Sequence, residues 1–142
     1  MSSIPLMHQA GALKSYFPDG RIIRNGDYEI TWVHTLSPTP LSLDYTVKLH
    51  YKKTKGVSVY VLTPKLFLAP GANVLPHVYS TPLQKLCLYY PTDREWHPGL
   101  YYVNTLIPWA MEWLYYYEIW AAGGQWNGGG IDHDEEKSPE TN

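Results

Sequence analysis

The fold of this chain is decided by residues 76–98, which read Pro-His-Val-Tyr-Ser-Thr-Pro-Leu-Gln-Lys-Leu-Cys-Leu-Tyr-Tyr-Pro-Thr-Asp-Arg-Glu-Trp-His-Pro. This stretch contains the only cysteine of the chain, Cys87. His77 precedes the cysteine by ten residues, and residues 96–98, Trp-His-Pro, follow it. A lone cysteine in an apolar run is more often a small buried hydrophobe. The flanking histidine and the Trp-x-Pro spacing favour Cys87 as a nucleophile instead.

The residues next to the cysteine predict its local structure. Residues 86–90 form a short apolar run, which predicts a strand or strand-like segment ended by Pro91. A polar loop, residues 92–95, follows directly. The nucleophile is therefore expected at a transition from a strand to a loop.

Length and charge predict one domain followed by an acidic tail. A chain of 142 residues is long enough to bury a real core. The net charge of -2 gives no reason to expect nucleic acid as a partner. Residues 131–142 carry five acids and one lysine, which leaves a net charge of +2 on residues 1–130. We therefore expect a folded domain over 1–130 and a disordered tail over 131–142.

The compartment and the cofactors follow from what the sequence contains. A single cysteine cannot form an intramolecular disulfide and favours a reducing environment. The sequence has no run of about 18 apolar residues and no signal-peptide pattern at its start, so a cytoplasmic protein that does not cross a membrane is expected. It also has no Gly-x-Gly-x-x-Gly run, and we expect no cofactor and no metal site.

The first half of the chain predicts a helix and a meander. Apolar residues recur at helical spacing over 4–16, with Ser2 or Ser3 as the cap. Three segments have strand character. They are residues 28–34, 45–52 and 57–62. Because their connections are short, we expect an antiparallel meander.

The second half predicts an irregular loop and one helix. Prolines and a glycine between Thr63 and Cys87 predict a loop without a long regular element. Apolar residues three and four apart then predict a helix over 105–122, capped by Thr105 and stopped by the pair Gly123-Gly124. The predicted class is α+β, with an N-terminal helix, an antiparallel meander sheet, a loop that bears the cysteine and a C-terminal helix.

This order and the residues around Cys87 resemble the ubiquitin-conjugating enzymes, carriers that hold a ubiquitin-like protein as a thioester on one cysteine. In that family a His-Pro-Asn motif lies ten residues before the cysteine, a leucine follows it, and a Trp-Ser-Pro run stands farther on. Here His77 has the same spacing, Leu88 follows the cysteine, and residues 96–98 are Trp-His-Pro with one residue more than usual before them.

The resemblance is closer to bacterial proteins of antiphage cyclic-oligonucleotide signalling (CBASS) operons, which also encode a cGAS-like nucleotidyltransferase. It extends over residues 28–130, and two runs carry it best. These runs are Leu-Cys-Leu-Tyr at 86–89 and Ile-Pro-Trp-Ala-Met-Glu-Trp-Leu-Tyr-Tyr-Tyr-Glu at 107–118. The resemblance implies a stand-alone carrier whose Cys87 accepts the C-terminal carboxylate of that nucleotidyltransferase and so regulates antiphage signalling. Because the chain has no nucleotide site of its own, a separate activating enzyme is implied.

Two features depart from the family. Val78-Tyr79 stand where the family has Pro-Asn, so the amide that supports the oxyanion during transfer to a lysine is missing. The helices that close the eukaryotic fold are also absent. The first departure puts ordinary transfer to a lysine in question.

The chemistry of such a carrier assigns roles to a small set of residues. Cys87 is the nucleophile, and His77 and Arg94 are the candidates for electrostatic support of its thiolate. Tyr79 is a possible hydroxyl donor in place of the missing amide, and Asp93 could orient an incoming amine or accept its proton.

Other functions stay open from the sequence. One is a catalytically inactive binding module of the same fold, which regulates the nucleotidyltransferase without covalent chemistry. Another is a carrier of a different ubiquitin-like protein. Tyr115, Tyr116 and Trp126 are expected to leave an aromatic patch exposed to a partner.

Overall fold

The computed structural model describes residues 2–90 and 95–128 of the chain. They form an α+β fold with a six-stranded antiparallel sheet and two helices. The predicted tail, residues 131–142, lies outside the described residues. No helix within the described ranges is long and apolar enough to cross a bilayer.

The first helix, α1, spans Leu6–Tyr16, close to the predicted range. The predicted cap was wrong, because Pro5 occupies the N-cap position and no side chain of the first turn caps the helix. The N–H group of Leu6 instead donates to Oδ1 of Asp27 at 2.7 Å. A carboxylate from a turn 21 residues away therefore supplies both the acceptor and the negative charge that a helix start favours.

Four strands form the predicted antiparallel meander. They are β1 (Arg21–Asn25), β2 (Glu29–Leu36), β3 (Tyr45–Lys52) and β4 (Gly56–Thr63). The alternation predicted for β3 is complete, with every second side chain buried. The sequence prediction missed β1, because this edge strand is mostly exposed and shows no apolar alternation.

Two further strands were not predicted in the proline-rich region. They are β5 (Val78–Ser80) and β6 (Lys85–Leu86), and the order across the sheet is β1-β2-β3-β4-β6-β5. Residues 64–77 contain no helix or strand, as expected. The prediction of an irregular loop up to the cysteine was therefore wrong only at its end, where a short hairpin adds to the sheet.

The second helix, α2, spans Leu106–Gly123 and follows a short 3-10 turn, Tyr102–Asn104. Thr105 occupies the N-cap position as predicted, but its hydroxyl donates to the carbonyl of Tyr101 and does not cap the helix. The predicted stop is confirmed, since Gly124 has a φ of 81° and its N–H donates to the carbonyl of Trp120.

The buried face of α2 is the predicted apolar stripe. It packs with the alternate strand residues that face the same side of the sheet, and these side chains form one core. The buried residues of the helix are Leu106, Ile107, Ala110, Trp113, Leu114, Tyr117 and Trp120. The buried Gln9 of α1 ties the chain before α2 to this core, because its amide bonds the carbonyl of Leu100 and the N–H of Tyr102.

Candidate functional site

Cys87 lies directly after the last residue of β6 and is half-buried. Its N–H donates to the carbonyl of His77 at 3.1 Å, and its thiol donates to the carbonyl of Tyr89 at 3.4 Å. The predicted strand over 86–90 was wrong beyond Leu86, because the Cys87 N–H bonds the residue before β5 rather than a continuing ladder. The cysteine thus sits where the chain leaves the sheet.

His77 supports this position through its backbone. Its carbonyl accepts two hydrogen bonds, from the N–H of Cys87 and from the indole N–H of Trp113, each at 3.1 Å. The residue has a φ of 47°, in the left-handed region that non-glycine residues rarely adopt. This strained residue joins the cysteine to the buried face of α2. Strained backbone of this kind is typical of functional sites.

The ring of His77 packs on the segment that follows α2. Its centroid lies 5.0 Å from the Trp126 ring, which also contacts Trp113 and Tyr116 at 6.0 Å each. Trp126 is therefore half-buried against the site, which departs from the expected exposed patch, whereas Tyr115 is exposed. The patch prediction failed for Trp126 because the chain after Gly124 returns toward β5.

Tyr79 lies on β5, and 40% of its surface is exposed. The ammonium of Lys85, on the neighbouring strand β6, lies 5.5 Å from its ring centroid. This is the distance of a cation–π contact. The residue that replaces the family's asparagine thus carries a positive charge beside its ring.

Asp93 and Arg94 lie outside the described residues. The two residues that flank this gap are joined, because Oε1 of Glu95 accepts the N–H of Tyr90 at 3.1 Å. Tyr90 and Glu95 therefore lie close together. Trp96 is buried just beyond it and stacks on Tyr102.

Tyr89 is a neighbour of the cysteine that the sequence reading did not single out. Its ring lies between Trp96 and Trp109, with centroids at 5.9 Å and 6.4 Å. Burial raises the pKa of the Tyr89 hydroxyl, and the charge of an ionised Cys87 raises it further. Tyr89 therefore stays neutral at neutral pH. The sequence places Tyr89 in the run 86–89 that carries the family resemblance but assigns it no role there.

Gln84 was also missed, although it fixes the start of β6. It is buried, with a φ of 51°, and all its amide atoms are used. Oε1 accepts the N–H of Leu66 at 2.6 Å, and Nε2 donates to the carbonyls of Val61 and Pro64 at 2.8 Å and 3.2 Å. The backbone carbonyl of Gln84 accepts the Val61 N–H at 3.0 Å. One side chain thus joins β4, the irregular segment and the strand that leads to the cysteine.

A groove of about 270 Å³ opens beside the cysteine. One wall is the first half of β4 with the turn before it. The other wall contains Leu86 and Leu88, which are the residues directly before and after Cys87. Lys55 and Lys85 bring positive charge to the groove, and none of the described residues that line it is acidic. An extended chain with negative charge fits this lining. Among the described residues, no cluster of three or more metal-ligating side chains forms.

Two comparisons relate this chain to known proteins. Residues 9–134 match the model of a protein family described as Type II CBASS E2 protein. A search of curated proteins gives no significant match. The family description gives an E2-like, conjugating-type role in CBASS antiphage systems, alongside other CBASS proteins. The matched residues include the whole stretch 76–98, and the chain therefore belongs to the Type II CBASS E2 protein family.

Proposed function

We propose that this chain is a ubiquitin-conjugating-like carrier. Its Cys87 forms a thioester with the C-terminal carboxylate of a partner protein, and the partner is a cGAS-like nucleotidyltransferase of the same CBASS system. The observation that carries the proposal is the placement of the only cysteine, half-buried at the end of β6 beside an open groove. The bond would regulate the nucleotidyltransferase during antiphage signalling. Residues 1–130 would form the ubiquitin-conjugating-like domain.

The covalent step requires an activated carboxylate. A separate activating enzyme would supply it as an acyl adenylate or a thioester, since the chain has no nucleotide-binding motif. The Cys87 thiolate attacks the acyl carbon, the carbon–sulfur bond forms, and AMP or the thiolate of the activating enzyme leaves. The thiol proton must first pass to a base. Ionisation also gives up the hydrogen bond from the thiol to the Tyr89 carbonyl, so donors or cations near the sulfur would help.

The other predicted residues enter as parts of this proposal. His77 and Arg94 would support the thiolate, and Asp93 would orient or deprotonate an incoming amine. Tyr79 would act as the hydroxyl donor to the oxyanion. In support of Tyr79, the nearby ammonium of Lys85 favours partial negative charge on the phenol oxygen.

A second candidate function is a non-catalytic binding module. It is favoured by Val78-Tyr79 in place of Pro-Asn and by the exposure of the Tyr79 ring. In that case the chain would bind the nucleotidyltransferase without forming a covalent bond.

Intact mass of the protein purified with the other proteins of its operon separates these functions. A thioester predicts an added mass that thiol treatment removes, and the mass identifies the partner or a different ubiquitin-like protein. Because Cys87 is the only cysteine, Cys87→Ala must abolish this adduct. Cys87→Ser should trap an ester that resists thiol. Co-purification of the partner with no adduct on the wild-type chain would instead establish the binding module.

A further inference from the structure

Strand β4 has one partnered edge and one edge that is open over half its length. On the β3 side, the pairing runs from Gly56 to Thr63. On the β6 side, Tyr60 with Lys85 is the one register pair that the structure gives. The first half of β4 therefore lacks a strand neighbour on that side, within the part of the chain that the structure describes.

The alternation of an antiparallel strand fixes which backbone groups face this open edge. Val61 donates its N–H toward β6, to the carbonyl of Gln84. Residues two apart on a strand point their backbone groups to the same side. The N–H groups of Val57 and Val59 and the carbonyl of Val57 are therefore directed to the open edge, and both residues line the groove.

The edge is open because the chain leaves the sheet at the cysteine. The N–H of Cys87 turns to His77, before β5, and away from β4. Leu88 and Tyr89 then form the far wall of the groove, with Leu106 of α2 beside them. The groove thus runs along an unpaired strand edge and reaches Leu86 and Leu88, the two residues on either side of the candidate nucleophile.

From this geometry we infer that the groove binds the C-terminal segment of the carried protein as an added β-strand on the open edge of β4. The inference rests on the proposed function, and it names how that site recognises its substrate. Hydrogen bonds to the backbone of Val57 and Val59 would hold the segment in register. A groove beside residues 55–59 accommodates about five extended residues, with the terminal carboxylate at Cys87.

Charge complementarity indicates the chemistry of this occupant. Lys55 lies in the turn at one end of the groove, and Lys85 precedes the cysteine by two residues. A segment with acidic side chains and a free carboxylate matches both lysines. Recognition through the backbone leaves most of the sequence of the segment free, and the lysines add a preference for negative charge.

The first test uses a fluorescent peptide with the last twelve residues of the cGAS-like nucleotidyltransferase of the same CBASS system. Its anisotropy is measured with the Cys87→Ala protein, so that no acylation contributes. A set of peptides carries one N-methyl group at successive positions. Strand addition predicts weakening by about tenfold at the position whose N–H donates to the Val57 carbonyl, since the methyl group removes that hydrogen bond, and little change at the positions on either side. A uniform effect, no effect or no binding would overturn the inference.

The second test compares two lysines of the same turn. Lys55 lines the groove, whereas Lys53, two residues earlier and exposed, does not. Lys55→Glu should weaken peptide binding by about fivefold, and Lys53→Glu should leave it unchanged. Equal effects of the two variants would overturn the charge argument.

The intact-mass experiment keeps the two proposals apart. If the wild-type chain forms the adduct but N-methylation weakens binding at no particular position, the carrier stands and the strand site fails. If the position-specific loss of binding is found but no adduct forms, the strand site stands and the carrier fails.

Discussion

At the scale of single residues, the candidate site depends on two polar residues whose hydrogen bonds fix the backbone. Gln84 satisfies three backbone groups of two other segments, and its left-handed backbone turns the chain into β6. His77 uses its carbonyl in the same way for Cys87 and Trp113. Gln84 and His77 are polar residue types that suggest a catalytic role. These hydrogen bonds instead hold the backbone in place.

Replacement of Gln84 by alanine should therefore destabilise the fold. The buried N–H of Leu66 and the carbonyl of Val61 would lose their partner, and an unsatisfied buried group costs about 1–3 kcal/mol. Urea unfolding followed by tryptophan fluorescence measures the change. Gln125→Ala is the matched control, since Gln125 is exposed. Equal unfolding midpoints for the two variants would contradict this role of Gln84.

Tyr89 gives a prediction about pH. Its pKa is raised above 10, by burial first and by the Cys87 charge second. The folded protein therefore keeps this proton to higher pH than the unfolded chain does, and the contribution of Tyr89 to stability falls as pH rises above about 10. NMR titration of carbon-13-labelled tyrosine should place Tyr89 above its ordinary value. In Cys87→Ser the pKa of Tyr89 should fall only in part, because burial of the ring remains. A return of the Tyr89 pKa to its ordinary value would contradict burial as the main cause.

At the scale of elements, local patterns predicted the long elements and missed the short ones. The alternation of β3 and the stripe of α2 were visible because each element buries one face along its whole length. The strands β1, β5 and β6 have five residues or fewer, which is too short or too exposed to show an alternation of buried and exposed side chains. The spacing between His77 and Cys87 could be read from the sequence. The contacts of Tyr89 and Gln84 could not, because they form only when the chain folds.

Two glycine-to-alanine substitutions at the end of α2 should change the stability of the protein in opposite directions. Gly124 has a φ of 81°, so a side chain there is strained, and Gly124→Ala should destabilise the protein by about 1 kcal/mol. Gly123 is the last residue of the helix, and a Cβ built on it meets no atom within 4 Å. Gly123→Ala should stabilise by about 0.5 kcal/mol, because alanine favours the helix. Thermal unfolding of both variants tests the pair, and a shift of the same sign in both would contradict the assigned end of the helix.

At the scale of the whole molecule, aromatic rings connect the two ends of the site. On one side of Cys87, the rings of Tyr89, Trp96 and Tyr102 follow one another toward the core. On the other, Trp126 links the segment after α2 to the His77 ring and to Trp113. The residues that flank the nucleophile in space therefore come from before β5, from the loop after β6 and from the chain after α2.

This arrangement predicts that Trp126 affects the chemistry without entering it. In Trp126→Ala the His77 ring would lose its packing, and the strained backbone that holds the Cys87 N–H would relax. We expect adduct formation at Cys87 to slow by about tenfold. Trp126→Phe should restore most of the rate, because it keeps an aromatic ring on His77.

Tyr115→Ala is the control, since Tyr115 is exposed and its ring contact is with Tyr116. The rate is measured as the growth of the thiol-sensitive adduct by intact mass, at a temperature where each variant is fully folded. A Trp126→Ala protein that unfolds more easily but acylates at the wild-type rate would show that Trp126 only stabilises the fold. Slower acylation in the folded variant, rescued by phenylalanine, would show that it positions the site through His77.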